Sequence, residues 1–181
     1  MLIQELTREE CLDLLDRAHL GRLACARETQ PYIVPIYFAY DNDYLYCFST
    51  VGQKIEWMRA NPNVCVETDE VRNSREWLSV IVLGRYEELP DTPEWHDARE
   101  YAHRKLEQRN PIWWEPGYAK TLRHDTERPL MPCFYRIRIV QLTGHRANPE
   151  SEKHAGTSPS TPDSSANSWL HKILRQVRKQ S

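Results

Sequence analysis

The sequence lacks the patterns that mark disulfide-rich, metal-binding and membrane-spanning proteins. Its five cysteines are odd in number and widely spaced, no C-x-x-C pair occurs, and none has a histidine at metal-ligand spacing. No apolar run approaches the roughly 20 residues that a membrane-spanning helix needs. Glu5, Glu9 and Glu10 interrupt any signal-peptide pattern at the N-terminus. We therefore expect a cytoplasmic protein with reduced, mostly buried thiols and no bound metal.

The chain also has little net charge and few phenylalanines. Its net charge of −2 gives no overall field that would attract nucleic acid, so no nucleic-acid partner is expected. Nine tyrosines and six tryptophans accompany only three phenylalanines. Tyrosine and tryptophan combine a large apolar ring with a polar group, which suits interfaces and ligand-binding walls as well as cores.

The motifs of covalent catalysis are absent from the sequence. There is no G-x-S-x-G, no serine or cysteine with a recognisable base, and no pair of carboxylates that stands out. His96 and His103 lie two turns apart on one predicted helix, about 10 Å, which is too far to share a metal and indicates a solvated helix face. Any redox or transfer chemistry is therefore expected to come from a bound cofactor.

Hydrophobic alternation and turn signals predict an antiparallel α+β barrel. Helices are predicted after the capping box Thr7–Glu10, over Gly52–Ala60, and from Asp91 to about Arg109. Six segments are predicted strands: Arg22–Ala26, Pro31–Tyr40, Tyr44–Ser49, Asn63–Asp69, Trp77–Glu87 and Cys133–Thr143. Asp41–Asp43 is predicted to form a hairpin turn, and Gly84 within a strand indicates a bulge or a barrel corner. They do not alternate regularly with helices, so we predict a mainly β, six-stranded antiparallel split barrel with flanking helices.

Composition divides the chain into a domain over 1–145 and an appendage. Residues 146–168 are rich in Ser, Thr and Pro and are predicted to form a disordered linker. Residues 169–181 are predicted to form a short basic amphipathic helix that could contact a membrane or a protein partner. A helix of about a dozen residues is marginal alone, so docking on its own domain or fraying is an equal alternative.

The strongest local signal for a ligand is the segment that leads into the second predicted helix. Ser49 and Thr50 end a strand, Gly52 permits close backbone approach, and Lys54 follows in the first helical turn. Hydroxyls, free N–H groups and a lysine together suit a phosphate. Taken alone, such hydroxyls before a helix are far more often simply an N-cap.

The order and spacing of several blocks resemble the FMN-binding split-barrel superfamily over about residues 5–145. These blocks are Leu20–Ala24, Pro31–Ile36, Leu45–Ser49, Gly52–Lys54, Asn61–Cys65, Ser79–Arg85, and Phe134–Ile137 with Leu142–Gly144. Within that superfamily the chain is similar to the pyridoxamine 5′-phosphate oxidase-like branch, which includes nitroimidazole-resistance (Nim-type) and flavin-nucleotide-binding proteins.

The resemblance implies a homodimer with two equivalent FMN sites between its subunits. Lys54 would hold the FMN phosphate with help from Ser49 and Thr50, and Pro35 and Ile36 would lie under the isoalloxazine ring with backbone groups at its polar edge. The other implied flavin-site residues are Phe48, Gln53, Ser79, Val80, Arg22, Trp113 and Trp114. For Arg22, an ordinary exposed position on the barrel is an equal alternative. For the two tryptophans the alternative is packing in the dimer.

The resemblance also implies an FMN-dependent oxidoreductase that passes electrons between a nicotinamide, NAD(P)H, and a small-molecule substrate. Phe48 stands where many Nim-type relatives carry a histidine of the ligand pocket. That difference argues against nitro-reduction and against haem, which needs an axial histidine. The alternative is a non-catalytic flavin- or haem-binding protein, a store or sensor with a partner-binding tail.

Overall fold

The computed structural model describes residues 1–110, 112–118 and 130–148, all within one compact unit. The predicted linker lies outside this range beyond residue 148, and the predicted tail helix lies outside it entirely. In the described part, the strands are β1 (Leu2–Glu5), β2 (Leu20–Arg27), β3 (Gln30–Asp41), β4 (Tyr44–Thr50), β5 (Asn63–Asn73), β6 (Glu76–Leu89) and β7 (Pro132–Asn148). The helices are α1 (Arg8–Arg17), α2 (Gln53–Ala60) and α3 (His96–Arg109).

Six of these strands close into an antiparallel barrel. Their order is β7-β4-β3-β2-β5-β6, and β6 pairs back onto β7 along most of its length. Closure gives each of these six strands a paired neighbour on both sides. The arrangement confirms the predicted fold class, a six-stranded antiparallel barrel with flanking helices.

Two features at the ends of the sheet differ from the prediction. The four-residue β1 was not predicted as a strand, and it pairs with residues 145–148 of β7. As a result β7 continues to Asn148, three residues beyond the predicted domain end at 145. Pairing of Leu2–Glu5 on one edge and of Trp77–Ser79 on the other keeps this end of β7 extended.

Alternating side chains of the six strands fill the barrel. The fully buried interior positions include Leu23, Leu45, Cys47, Val66, Val80, Val82, Tyr135 and Ile137. Leu14 and Leu15 of α1 and Ile55 and Met58 of α2 pack against the same core. A smaller cluster lies between the outer side of β4 and α3, where Tyr46 and Phe134 contact Ala102 and Leu106.

The local signals at turns and caps are confirmed. Thr7 and Glu10 form a complete capping box at the start of α1. Asn42 and Asp43 adopt positive φ angles in the turn between β3 and β4. Gly84 marks a register shift in β6, and a Cβ at this position would lie 2.4 Å from Cγ2 of Ile137. Only glycine allows β7 to approach so closely there.

The barrel is split between β3 and β4. These strands pair only from Phe38–Cys47 to Asp41–Tyr44, whereas β4 stays paired with β7 as far as Thr50. The preceding part of β3 pairs with β2 alone. Because backbone groups alternate between the two edges of a strand, some N–H and C=O groups of Pro35–Tyr37 face the opening instead of β2.

Candidate functional site

A cavity of about 320 Å³ lies at the opening between β3 and β4. Its volume is at the lower end of the range typical of small-molecule sites. Residues from β3, β4, both neighbouring helices and the α1–β2 junction surround it. They are His19, Pro35, Ile36, Tyr37, Phe38, Phe48, Lys54, Leu106, Arg109, Asn110 and Trp113. The structure thus brings together five of the residues predicted for the flavin site: Pro35, Ile36, Phe48, Lys54 and Trp113.

Lys54 supplies a positive charge to this cavity from the first turn of α2. Its side chain is half-buried, and burial lowers the pKa of its ammonium group. Among the residues that the structure describes, no carboxylate forms an ion pair with Lys54. A cation taken partly out of water without a partner is costly, so the site favours an anionic ligand.

The hydroxyls next to Lys54 do not cap α2. The N-cap residue is Gly52, and α2 has no side-chain cap. Ser49 is buried on the inward face of β4, and its hydroxyl donates to the Thr50 carbonyl at 3.1 Å. Thr50 is half-buried and Gln53 is exposed, and neither lines the cavity. Of the residues predicted to bind the phosphate, only Lys54 therefore lines the cavity.

Phe48 and Trp113 form an aromatic wall. Their ring centroids lie 5.0 Å apart in an edge-to-face arrangement. His103 packs on Trp113 at 4.9 Å, which corrects the expectation that His103 lies on a purely solvated helix face. The turn that follows Trp113 also presses on Phe48, since a Cβ on Gly117 would lie 2.5 Å from Cδ1 of that ring. Trp114 is exposed and lies outside the lining.

The remaining predicted site residues lie elsewhere on the barrel. Arg22 is exposed and forms ion pairs with Glu67 and Asp69 across neighbouring strands. The Ser79 hydroxyl donates to Glu67 at 3.2 Å, and Val80 is fully buried in the core. None of the three lines the cavity.

Several lining residues carried no signal in the sequence. His19 lies at the α1–β2 junction, and Arg109 and Asn110 end α3. They are separated from Lys54 by dozens of residues and follow no spacing pattern. Only the packing of α1 and α3 beside β3 brings them to the cavity.

The thiols near Lys54 are too buried to act as nucleophiles. Burial raises the pKa of Cys47 to about 12 and that of Cys133 to about 11. The thiolate is the reactive form, so both thiols stay protonated and inert near neutral pH. All five cysteines are free and four are buried, as predicted.

The described part of the chain contains no group of three histidine, cysteine or acidic side chains that could hold a metal. Among the described helices, none has the length and apolarity needed to cross a bilayer.

The cavity borders a sheet surface rich in exposed aliphatic side chains, which we call the outer face. It consists of the outward side chains of β2, β3, β5 and β6. One row in register across these strands is Ile33, Ala24, Cys65 and Leu83, and the next is Pro35, Arg22, Glu67 and Ile81. Ile33 is 65% exposed, Leu83 44% and Ile81 39%. Pro35 belongs both to this face and to the cavity lining.

Known proteins resemble this chain over most of its length. The family model for pyridoxamine 5′-phosphate oxidase matches residues 7–146. An uncharacterized protein of Rhizobium meliloti is 43% identical over 147 residues, covering 81% of this chain and 97% of that protein.

Two solved structures of FAD-binding proteins have the same fold. The protein from Mesorhizobium loti is 45% identical, with 82% of this chain and 100% of that chain covered and a TM-score of 0.66. The protein from Mycobacterium smegmatis is 26% identical, with 79% and 98% covered and a TM-score of 0.55. The extent of the family match, the 43% identity to a relative and the shared barrel lead to one conclusion: the chain belongs to the pyridoxamine 5′-phosphate oxidase family.

Proposed function

We propose that the cavity between β3 and β4 binds a flavin nucleotide through its phosphate and its ring system. The observation that carries this proposal is Lys54, a half-buried cation without an acidic partner in the described structure, on the wall of a mostly apolar cavity. Two relatives of known structure, 45% and 26% identical, are FAD-binding proteins, which supports a flavin over other phosphate esters.

The residues present fit the parts of a flavin nucleotide. Lys54 would hold the phosphate as a point charge. Pro35, Ile36 and Phe48 would pack against the apolar ring system, and those backbone groups of Pro35–Tyr37 that face the opening offer donors and acceptors to its polar edge. The phosphate and the ring system occur both in FMN and in the FMN half of FAD. We therefore propose that FMN is the smallest flavin nucleotide that the cavity binds.

We propose a homodimer in which the outer face is the subunit interface. Ile33, Ile81 and Leu83 expose aliphatic surface on one continuous sheet face, a feature that marks association surfaces. The cavity opens beside this face at Pro35, so a second subunit would cover it. Covering would exclude water and strengthen the electrostatic interaction of Lys54 with a phosphate.

We propose that the protein is a flavin-dependent oxidoreductase acting on a small molecule with electrons from a nicotinamide. A bound flavin supplies hydride or single-electron transfer. The chain would provide the binding charge of Lys54 and an apolar wall of Phe48 and Trp113 that shields the site from water. The described cavity lining contains no carboxylate, and its ionisable side chains are His19, Tyr37, Lys54 and Arg109.

The phosphate assignment is tested by comparing FMN with riboflavin, which lacks the phosphate. Lys54→Gln is expected to lower FMN affinity by about 10- to 100-fold, because it removes a charge-assisted hydrogen bond from a partly buried site. Riboflavin affinity is expected to stay unchanged. Lys54→Arg keeps the charge and is the matched control. Flavin fluorescence titration measures the affinities of wild type, Lys54→Gln and Lys54→Arg for both flavins.

Equal FMN affinity in wild type and Lys54→Gln would contradict the phosphate site, and a wild type that binds no flavin would contradict the proposed function as a whole. Catalysis is tested separately by adding NADH or NADPH to the flavin-loaded protein without oxygen. Bleaching of the flavin absorbance is expected for an oxidoreductase. A flavin that stays oxidised would identify a non-catalytic binder instead.

A further inference from the structure

The cavity carries cationic or protonatable side chains at two separate places. Lys54 lies on the side formed by α2. Arg109 and His19 lie on the side where the end of α3 meets the α1–β2 junction. A ligand with a single phosphate, bound at Lys54, would leave Arg109 and His19 without an anionic group to bind.

The elements that carry the two places contact β3 at separated points. Helix α2, which carries Lys54, packs against the start of β3, where the ring centroids of Trp57 and Tyr32 lie 5.5 Å apart. The carbonyl of His19 instead accepts a hydrogen bond from the Phe38 N–H, six residues further along β3. Consecutive residues of a strand advance by about 3.3 Å, so these two contact points on β3 lie about 20 Å apart.

Among the described residues, Arg109 has one ion-pair partner, and that partner is weak. Its side chain is largely buried, and it donates to Asp16 at 2.9 Å, but the Asp16 side chain is 73% exposed. Ion pairs with an exposed carboxylate contribute little because water competes for both groups. Arg109 can therefore exchange Asp16 for an anionic ligand at small cost.

Asn110 adds a second donor beside Arg109. Its Oδ1 accepts a hydrogen bond from the Ile112 N–H at 3.1 Å, and within the described residues its Nδ2 makes none. The C-terminal end of α3 carries partial negative charge, so backbone groups of the helix cannot attract an anion there. Recognition must come from the side chains.

We propose that Arg109, with Asn110 and His19, forms a second anion site in the cavity, distinct from the phosphate site at Lys54. This inference rests on the proposed flavin function. The site takes a phosphate or a carboxylate. That group could be the second phosphate of FAD, or the anionic group of a small substrate bound beside the flavin.

The test uses two variants with opposite expected effects. Arg109→Gln removes the guanidinium, whereas Asp16→Asn releases it from its competing carboxylate. Wild type and both variants are titrated with FMN and FAD by flavin fluorescence. The FMN-loaded proteins are then titrated with inorganic phosphate, followed by the change in flavin absorbance. Arg104→Gln, on the same helix but outside the lining, is the control.

Arg109→Gln is expected to keep FMN affinity within about twofold and to lose about tenfold in affinity for FAD or for phosphate, as one lost charge-assisted hydrogen bond implies. Asp16→Asn is expected to tighten the same ligand. Weaker FAD binding by Arg109→Gln would identify the second phosphate of FAD as the ligand of this site. Weaker phosphate binding by the FMN-loaded variant would instead identify the anionic group of a substrate.

The proposal is overturned if Arg109→Gln changes neither affinity, or if it weakens FMN as strongly as Lys54→Gln does. It is also overturned if both variants shift binding in the same direction, since that is the signature of an ion pair that is merely structural. Should wild type bind no flavin, the flavin function fails on its own. The anion site is then tested by the rise in Tm that phosphate causes over chloride at equal ionic strength. Arg109→Gln should abolish that rise, and an unchanged rise overturns the proposal.

Discussion

Tyr135 is the largest side chain that the barrel encloses completely, and within the described residues its hydroxyl has no oxygen or nitrogen atom as a hydrogen-bond partner. The nearby thiol of Cys47 interacts with it electrostatically, but thiols are weak hydrogen-bonding groups. Burial raises the pKa of this phenol well above its ordinary value. A buried hydroxyl without a strong partner costs free energy, and that cost makes Tyr135 a direct test of the core.

Tyr135→Phe is expected to leave the free energy of unfolding unchanged or to raise it by about 1 kcal/mol, because it removes an unsatisfied polar group. Tyr86→Phe is the matched comparison in the same core. The Tyr86 hydroxyl donates to Glu88 at 2.8 Å, so its removal is expected to cost about 1–2 kcal/mol. Urea denaturation of the three proteins measures the difference. A loss at Tyr135 as large as that at Tyr86 would show that its hydroxyl has a strong partner.

Phe48 decides which chemistry the cavity wall can supply. Its ring packs between Trp113 and Phe134 at centroid distances of 5.0 and 4.9 Å. A phenyl ring cannot donate a proton, whereas the resemblance to Nim-type proteins implies a histidine at this position in many relatives. In the described lining, imidazole comes only from His19, at the α1–β2 junction.

At the scale of elements, α2 depends on tertiary contacts. It has eight residues and no side-chain N-cap, and so short a helix is not stable alone. Arg59 of α2 donates hydrogen bonds to both carboxylate oxygens of Glu88 on β6, at 2.8 and 2.7 Å, and we call this ion pair the Arg59–Glu88 clamp. Because α2 carries Lys54, this clamp also determines where the proposed phosphate site lies.

The clamp predicts a pH dependence of stability. The Arg59 guanidinium holds the pKa of the Glu88 carboxyl below its ordinary value of 4.5. The folded state therefore binds this proton less tightly than the unfolded state does. The stabilisation is complete above pH 4.5 and is lost as the pH falls below that value, through the lower pKa of the folded state.

Glu88→Gln is expected to lower the free energy of unfolding at pH 7 by about 1 kcal/mol and to remove this share of the acid sensitivity. Denaturation between pH 7 and pH 3 compares the variant with wild type. Glu76→Gln serves as the control, since its partner Arg72 is 80% exposed and contributes little. Parallel pH profiles of wild type and Glu88→Gln would refute the clamp.

At the scale of the whole molecule, the outer face determines the oligomeric state that we propose. Leu83→Asp places a charge at the β6 end of the row that also contains Ile33 and is expected to convert a dimer into a monomer, because a buried unpaired carboxylate is strongly unfavourable. Light scattering after size-exclusion chromatography gives the mass. Leu2→Asp, at an equally exposed leucine of β1 outside this face, is expected to have no effect. A dimer that survives Leu83→Asp would place the interface elsewhere.

Short-range signals predicted most of the barrel. The capping box at Thr7, the turn at Asn42 and the bulge at Gly84 depend on neighbours in the sequence, and all three are confirmed. The edge strand β1 was missed because its four residues, all exposed, carry no burial pattern. Its extended form comes from pairing with the far end of the chain's last strand, which no local signal records.

The sequence by itself determined the fold class and the family and pointed to Lys54, because periodicity, turn chemistry and ordered blocks are properties of neighbouring residues. Only the tertiary structure decided which other groups share the cavity with that lysine. It turned Ser49 inward, paired Arg22 with Glu67 and brought Arg109 to the cavity wall. Such placements depend on strand register and helix packing across long separations in the chain. They leave no pattern among neighbouring residues that could be recognised in one sequence.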